Sequence, residues 1–120
     1  MIYTTYFGIL NKIKKKGDVV VGICRKPPKN IANIDYLAPS EALMIYYKSG
    51  KINEVDFIKL YRNQVTPYIK DFINTISCFQ NTNLLNIFLC CYEKSDDFCH
   101  RHILRQILQE HGIEIEEYKL

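Results

Sequence analysis

Leu84-Leu85-Asn86-Ile87-Phe88-Leu89-Cys90-Cys91 is apolar at every position but Asn86 and does not alternate, so it reads as a strand buried on both faces near the centre of a parallel sheet. Asp18-Val19-Val20-Val21-Gly22-Ile23-Cys24 reads the same way and ends in Arg25-Lys26-Pro27-Pro28. Strands of this kind need helices over both faces of their sheet, and the sequence around them supplies candidates.

Upstream, Ile2-Tyr3-Thr4-Thr5-Tyr6 is β-branched or aromatic throughout and reads as a first strand, broken at Gly8. Ile9, Leu10 and Ile13 among Lys12, Lys14, Lys15 and Lys16 predict a short helix with a basic end, stopped by Gly17. From Arg25 to Pro39 the chain has no period and reads as a long loop, a length that is often functional. Ser40 then caps a helix that carries Ala42, Leu43, Ile45, Tyr46 and Tyr47 and ends near Ser49-Gly50. Asn53 with Asp56 caps a second, and Thr66-Pro67 opens a third whose Ile69, Phe72, Ile73 and Ile76 share one face. Downstream, a helix runs from about Cys99 to His111 and stops at Gly112. Ile113, Ile115 and Tyr118 alternate with Glu114, Glu116 and Glu117, as in a half-exposed edge strand. This order predicts an α/β fold, Rossmann-like or flavodoxin-like: one domain over residues 1–120, with a mainly parallel sheet of about four strands in a three-layer arrangement.

Composition agrees with that reading and narrows the partners. The 120 residues are 48% hydrophobic and 24% charged, enough for a core without metal or disulfide staples. No apolar run approaches the roughly 20 residues of a membrane span, and the N-terminus lacks the order of a signal peptide, so a soluble, cytoplasmic protein without membrane contact is expected. The net charge of +3 permits anion binding without arguing for nucleic acid. The five cysteines, at 24, 78, 90, 91 and 99, contain no CxxC knuckle and are expected as free thiols. Only Cys99 sits among charged neighbours.

Open parallel sheets bind ligands beyond the carboxyl ends of their strands. The segments leaving those ends carry Tyr6 and Phe7, then Cys24, Arg25 and Lys26, then Tyr92, Glu93 and Lys94, with Cys99-His100-Arg101 opening the next helix. On a helical wheel Ile103, Leu104, Ile107 and Leu108 define the buried face, and His100 falls at its centre. His102 points about 160° away, into solvent. His100 and His102 therefore cannot face one ion, and no metal or cofactor is expected; a metal would need Cys90 or Cys91 with Cys99 and His100. The amides and dipole of the helix start favour an anion there and favour the Cys99 thiolate. Arg25, Lys26, Lys94 and Arg101 add charge around it. The same residues also admit a structural reading: Asp96 and Asp97 cap the helix and oppose an anion, Cys99 packs, His100 bonds a strand carbonyl, and Arg101 bridges to Glu93.

Leu89-Cys90-Cys91-Tyr92-Glu93-Lys94, followed by Asp97-Phe98-Cys99-His100-Arg101, resembles the signature of the uncharacterised domain-of-unknown-function family 488: a strand ending in Cys-x-Glu, a loop, then Cys-His-Arg opening a helix. Ile2-Tyr3-Thr4-Thr5-Tyr6-Phe7 is similar to its first strand, and Arg25 stands where its members place an Arg after strand two. Ile23 departs from the acidic residue that many relatives carry two positions before that Arg. The resemblance spans nearly the whole chain and implies a small α/β fold with a polar site at the strand ends.

The expected site is thus an anion site, for a nucleotide or other phosphorylated ligand, with Cys99 as nucleophile or redox thiol, His100 as acid/base and Glu93 as its orienter or base. Arg25, Lys26, Tyr6, Tyr92 and Arg101 would bind the ligand. The expected function is anion binding at the strand carboxyl ends, and two readings of it stay open: a Cys/His-dependent enzyme acting on nucleotides or nucleic acid, and a non-catalytic module that binds a nucleotide, a nucleic-acid backbone or a protein partner with the same residues.

Overall fold

A computed structural model of the chain describes residues 1–80 and 86–119, with the side chains of 78–80 left aside. The Leu84-Leu85 start of the expected strand and the Cys78 side chain lie outside the described residues. β1 (Ile2–Tyr6), β2 (Val19–Gly22), β3 (Ala32–Asn33), β4 (Ile87–Cys91) and β5 (Ile115–Glu117) form one sheet in the order β3-β2-β4-β1-β5. Every pairing is parallel. β4 lies at the centre and is buried along its whole length, as its unbroken apolar run requires. Val19, Val20 and Val21 of β2 are only half-buried, since the outer neighbour β3 covers just Val21 and Gly22.

The sheet has five strands rather than four because the expected loop after β2 is ordered. Asn33 receives the Cys24 N–H on its side-chain oxygen and returns its Nδ2 to the Cys24 carbonyl at 2.6 Å, which closes β3 onto β2. Further along, the Tyr61 hydroxyl donates to the Leu37 carbonyl at 2.6 Å and Gln64 Nε2 to that of Ala38 at 2.6 Å, tying the rest of the loop to a helix.

Side chains alternate across β4 and so divide the core in two. Ile87 and Leu89 face α3 (Glu54–Gln80) and α4 (His100–Glu110), whereas Phe88 and Cys90 face α1 (Leu10–Ile13). α1 ends before Lys14-Lys15-Lys16, with Lys14 already extended, so of the expected basic end only Lys12 lies in the last turn of the helix. α2 (Glu41–Lys48) starts as expected: the Ser40 hydroxyl accepts the Leu43 N–H at 3.1 Å. Asn53 likewise caps α3 through the Asp56 N–H. The two helices expected beyond Asn53 are one, and Thr66-Pro67 lies inside it. Phe57, Tyr61, Val65, Ile69, Phe72 and Ile76 form one buried stripe straight through that point. Pro67 sits on the exposed side, where the carbonyl it leaves unpaired can be hydrated. Among the described residues no helix is long and apolar enough to cross a membrane.

Candidate functional site

The carboxyl ends of β1, β2 and β4 are level, with Tyr6 opposite Cys91 and Gly22 opposite Cys90. α4 begins directly against this edge. Cys99 is its N-cap in extended conformation and makes no side-chain capping bond; its Sγ lies 2.7 Å from Cys91 Sγ, 3.4 Å from a Glu93 carboxylate oxygen and 3.7 Å from His100 Nδ1. His100 points under the sheet edge, as the helical wheel predicts. Its Nε2 faces the Ile23 carbonyl at 2.5 Å, and a carbonyl only accepts, so Nε2 carries the proton and Nδ1 is left as a bare acceptor toward the thiols. Tyr61 of α3 packs edge-on against the imidazole. Burial drives the His100 pKa down to about 4, and the ring is neutral at pH 7.

Arg101 is not the surface clamp its sequence position suggests. It is 0% exposed and forms a two-pronged pair with Glu117 of β5, Nε to Oε1 at 3.1 Å and Nη2 to Oε2 at 2.8 Å. Nη1 reaches the Glu93 carbonyl at 2.6 Å and Cys91 Sγ at 2.9 Å. The expected bridge to Glu93 therefore goes to its backbone, and the carboxylate that neutralises Arg101 comes from the last strand. Arg105, Thr4 and His102 also face Glu117.

These contacts move the two thiol pKa values in opposite directions. Cys91 has its thiol pKa lowered, first by the hydrogen bond from Cys99 and then, against burial, by Arg101. Cys99 is pushed up, because its proton bonds Cys91 and because it is buried. Glu93 is lowered against its burial by its own backbone N–H, by Cys99 and by neighbouring His100. Cys90, turned to the opposite face, is raised by burial to about 12.

Above this floor opens a cleft of about 870 Å³. Cys91, Glu93 and His100 line its base, Arg25 and Lys26 one wall, and Met44, Ile45 and Lys48 of α2 the other, with Tyr92 on the rim. The Tyr92 hydroxyl donates to the Lys26 carbonyl at 2.5 Å, and its ring packs on Phe7 at 4.9 Å, so the rim is latched across the strand ends. Arg25 is held loosely by Glu41 at 3.8 Å.

Of the expected site residues, Arg25, Lys26, Tyr92, Glu93 and His100 meet in this cleft, and Cys99 lies just beneath it against a recess of about 100 Å³. Tyr6 does not reach it: its ring stacks toward Arg101 and lines a separate recess with Lys94. The four cations expected on one rim are thus divided. His102 is not in solvent but half-buried, its Nδ1 2.7 Å from Arg105 beside Glu117. That side of α4 opens on a second cleft of about 640 Å³, where the carboxylates of Glu54, Asp96, Asp97, Glu116 and Glu117 outnumber the cations Arg105 and Lys119. Sequence reasoning missed Lys48 and the apolar wall of α2; the exposed Ile45 on an otherwise amphipathic helix is the signal that could have found them.

A family model, DUF488-N3a, described as "Active DUF488-N3 subclade", matches residues 4–112. No protein of curated function and no solved structure matches the chain.

Proposed function

This chain belongs to the DUF488 family, in its DUF488-N3a branch, and from that premise we propose that the cleft binds a nucleotide or other phosphorylated small molecule and presents it to the Cys91 thiolate. The observation that carries this reading is the composition of the cleft: Arg25 and Lys26 from the loop after β2 and Lys48 from α2 outnumber the carboxylates Glu41 and Glu93, beside the apolar Met44–Ile45 side and an aromatic rim, over a buried sulfur. Phosphate would be met by Arg25, Lys26 and Lys48. A base or other flat group would lie between Tyr92 and the Met44–Ile45 side. Cys91, not Cys99, is the candidate nucleophile, since Arg101 Nη1 and the Cys99 thiol both point at its sulfur. His100 and Glu93 hold Cys99 and flank the reacting centre.

Calorimetric titration with a nucleoside monophosphate, its nucleoside and inorganic phosphate tests the reading. The monophosphate is expected to bind more tightly than either part, and Arg25→Ala or Lys26→Ala to weaken it several-fold. No binding of either phosphate-bearing probe overturns the proposal. Unchanged binding in Cys91→Ser without any chemical turnover in the native chain would favour the non-catalytic module instead.

A further inference from the structure

Cys91 Sγ, Cys99 Sγ and His100 Nδ1 lie within 4.8 Å of one another and all three residues are buried. We infer that these atoms form a binding site for one soft divalent cation of the zinc class, with the Glu93 carboxylate, outside that cluster but 3.4 Å from Cys99 Sγ, turning in as fourth donor. The donor set is what such an ion selects, two sulfurs and an imidazole nitrogen at about 2.3 and 2.0 Å from the metal.

The imidazole is already prepared. A ligating histidine needs one nitrogen free and the other tied to an acceptor that fixes ring and tautomer, and the Ile23 carbonyl does this at Nε2. The donors also sit on rigid elements, Cys91 at the end of the central strand and Cys99 with His100 at the start of α4. Around a tetrahedral ion the sulfurs stand about 3.8 Å apart. The present 2.7 Å must therefore open by about 1 Å. There is room on both sides, because Cys91 borders the large cleft and Cys99 the smaller recess.

Charge balances as well. Two thiolates and Glu93 around a dication leave one net negative charge, and Arg101, Arg105 and Glu117 behind Cys91 sum to one net positive. Coordination sends the remaining thiol protons to solvent. With the ion bound, Cys91 is a ligand and its lone pair is no longer offered to a substrate, so the cation would switch the site off; that consequence rests on the nucleophile reading above, whereas the cation site does not.

The test is a titration of the reduced, chelator-treated chain with cobalt(II) alone. One ion per chain is expected, with sulfur-to-cobalt charge-transfer absorption and the intense visible bands of a tetrahedral site, all displaced by zinc(II). Cys91→Ser and Cys99→Ser should each abolish the charge-transfer band, His100→Gln and Glu93→Gln should weaken binding about tenfold or more, and Cys90→Ala should change neither. Absence of the band, or its survival in either serine variant, overturns the inference. Should the serine variants fail to fold, zinc protection of native thiols from a thiol reagent decides: two fewer reactive thiols support the site, an unchanged number refutes it. If cobalt binds as described but metal-free Cys91 does not react, the cation site stands and the nucleophile reading falls.

Discussion

Arg101 Nη1 stands 2.9 Å from Cys91 Sγ while the other edge of the same guanidinium is gripped by Glu117. The charge that polarises the sulfur is thus positioned from β5, on the far side of β1. The pair is almost fully buried, and removing one partner strands a guanidinium that cannot lose its proton. Glu117→Ala is therefore expected to cost about 3–5 kcal/mol, read from urea unfolding midpoints. A loss below about 1 kcal/mol would mean that water replaces the carboxylate.

Glu117 also sets part of the acid stability. Its pKa is lowered against its burial by Arg101, Thr4 and Ser95, and Arg105 and His102 also face it. The folded chain therefore releases this proton more readily than the unfolded chain. The resulting stability is present above the unfolded value of 4.5 and is lost as pH falls through the lower folded value. Unfolding free energies of the native chain and Glu117→Gln, compared from pH 7 to pH 3, should differ by a constant amount above about pH 5 and converge below it. A constant difference down to pH 3 would show that Glu117 is not held ionised.

Thiol labelling separates the two sulfurs. In the folded, chelator-treated chain iodoacetamide should modify Cys91 ahead of Cys99, because Cys91 borders the cleft and carries the Arg101 contact while the bond to Cys91 and burial push the Cys99 thiol up. Peptide mapping after brief labelling reads this directly. Cys99 labelled first would restore it as the reactive thiol.

How far the sequence carried is clearest at particular residues. The unbroken run at Ile87–Cys91 announces a central strand, and the wheel of α4 places His100 under the sheet edge, because both depend on local periodicity. What the local signal misses is pairing at a distance. Arg101 and Glu117 are 16 residues apart and meet only because β5 lies beside β1. The contact between Arg101 and Cys91 depends on that same pairing, so a helix start by itself says nothing of the charge that reaches the neighbouring sulfur. Pro67 misled in the other direction: a helix breaker by its chemistry, it is tolerated on the solvent side of a helix whose buried stripe runs on beneath it.

Tyr92 is expected to act on ligand binding through the loop as well as through its ring. Its hydroxyl holds the Lys26 carbonyl, and so the Arg25–Lys26 wall, against the end of β4. Tyr92→Phe keeps the ring and removes the latch, worth about 0.5–1.5 kcal/mol. Affinity for the nucleoside monophosphate should fall a few-fold while affinity for the nucleoside stays level, because the loop positions the cations. Equal losses for both probes would place the effect in stacking.

The same wall depends on a glycine. A Cβ on Gly22 would run into Asn33 Oδ1, closer than any real contact allows, and Asn33 is the side chain that holds both the N–H and the carbonyl of Cys24. Gly22→Ala should drive Asn33 out, release β3, and shift Cys24, Arg25 and Lys26 together, at a cost of about 1–3 kcal/mol. Asn33→Ala also frees β3 but removes the obstruction, so adding Gly22→Ala to it should cost little more. The two substitutions are therefore predicted to be coupled by about 1 kcal/mol or more in a double-mutant cycle of unfolding free energies. Additive losses would mean that the clash is relieved elsewhere, and that the cation wall is held by the Tyr92 latch without help from Asn33.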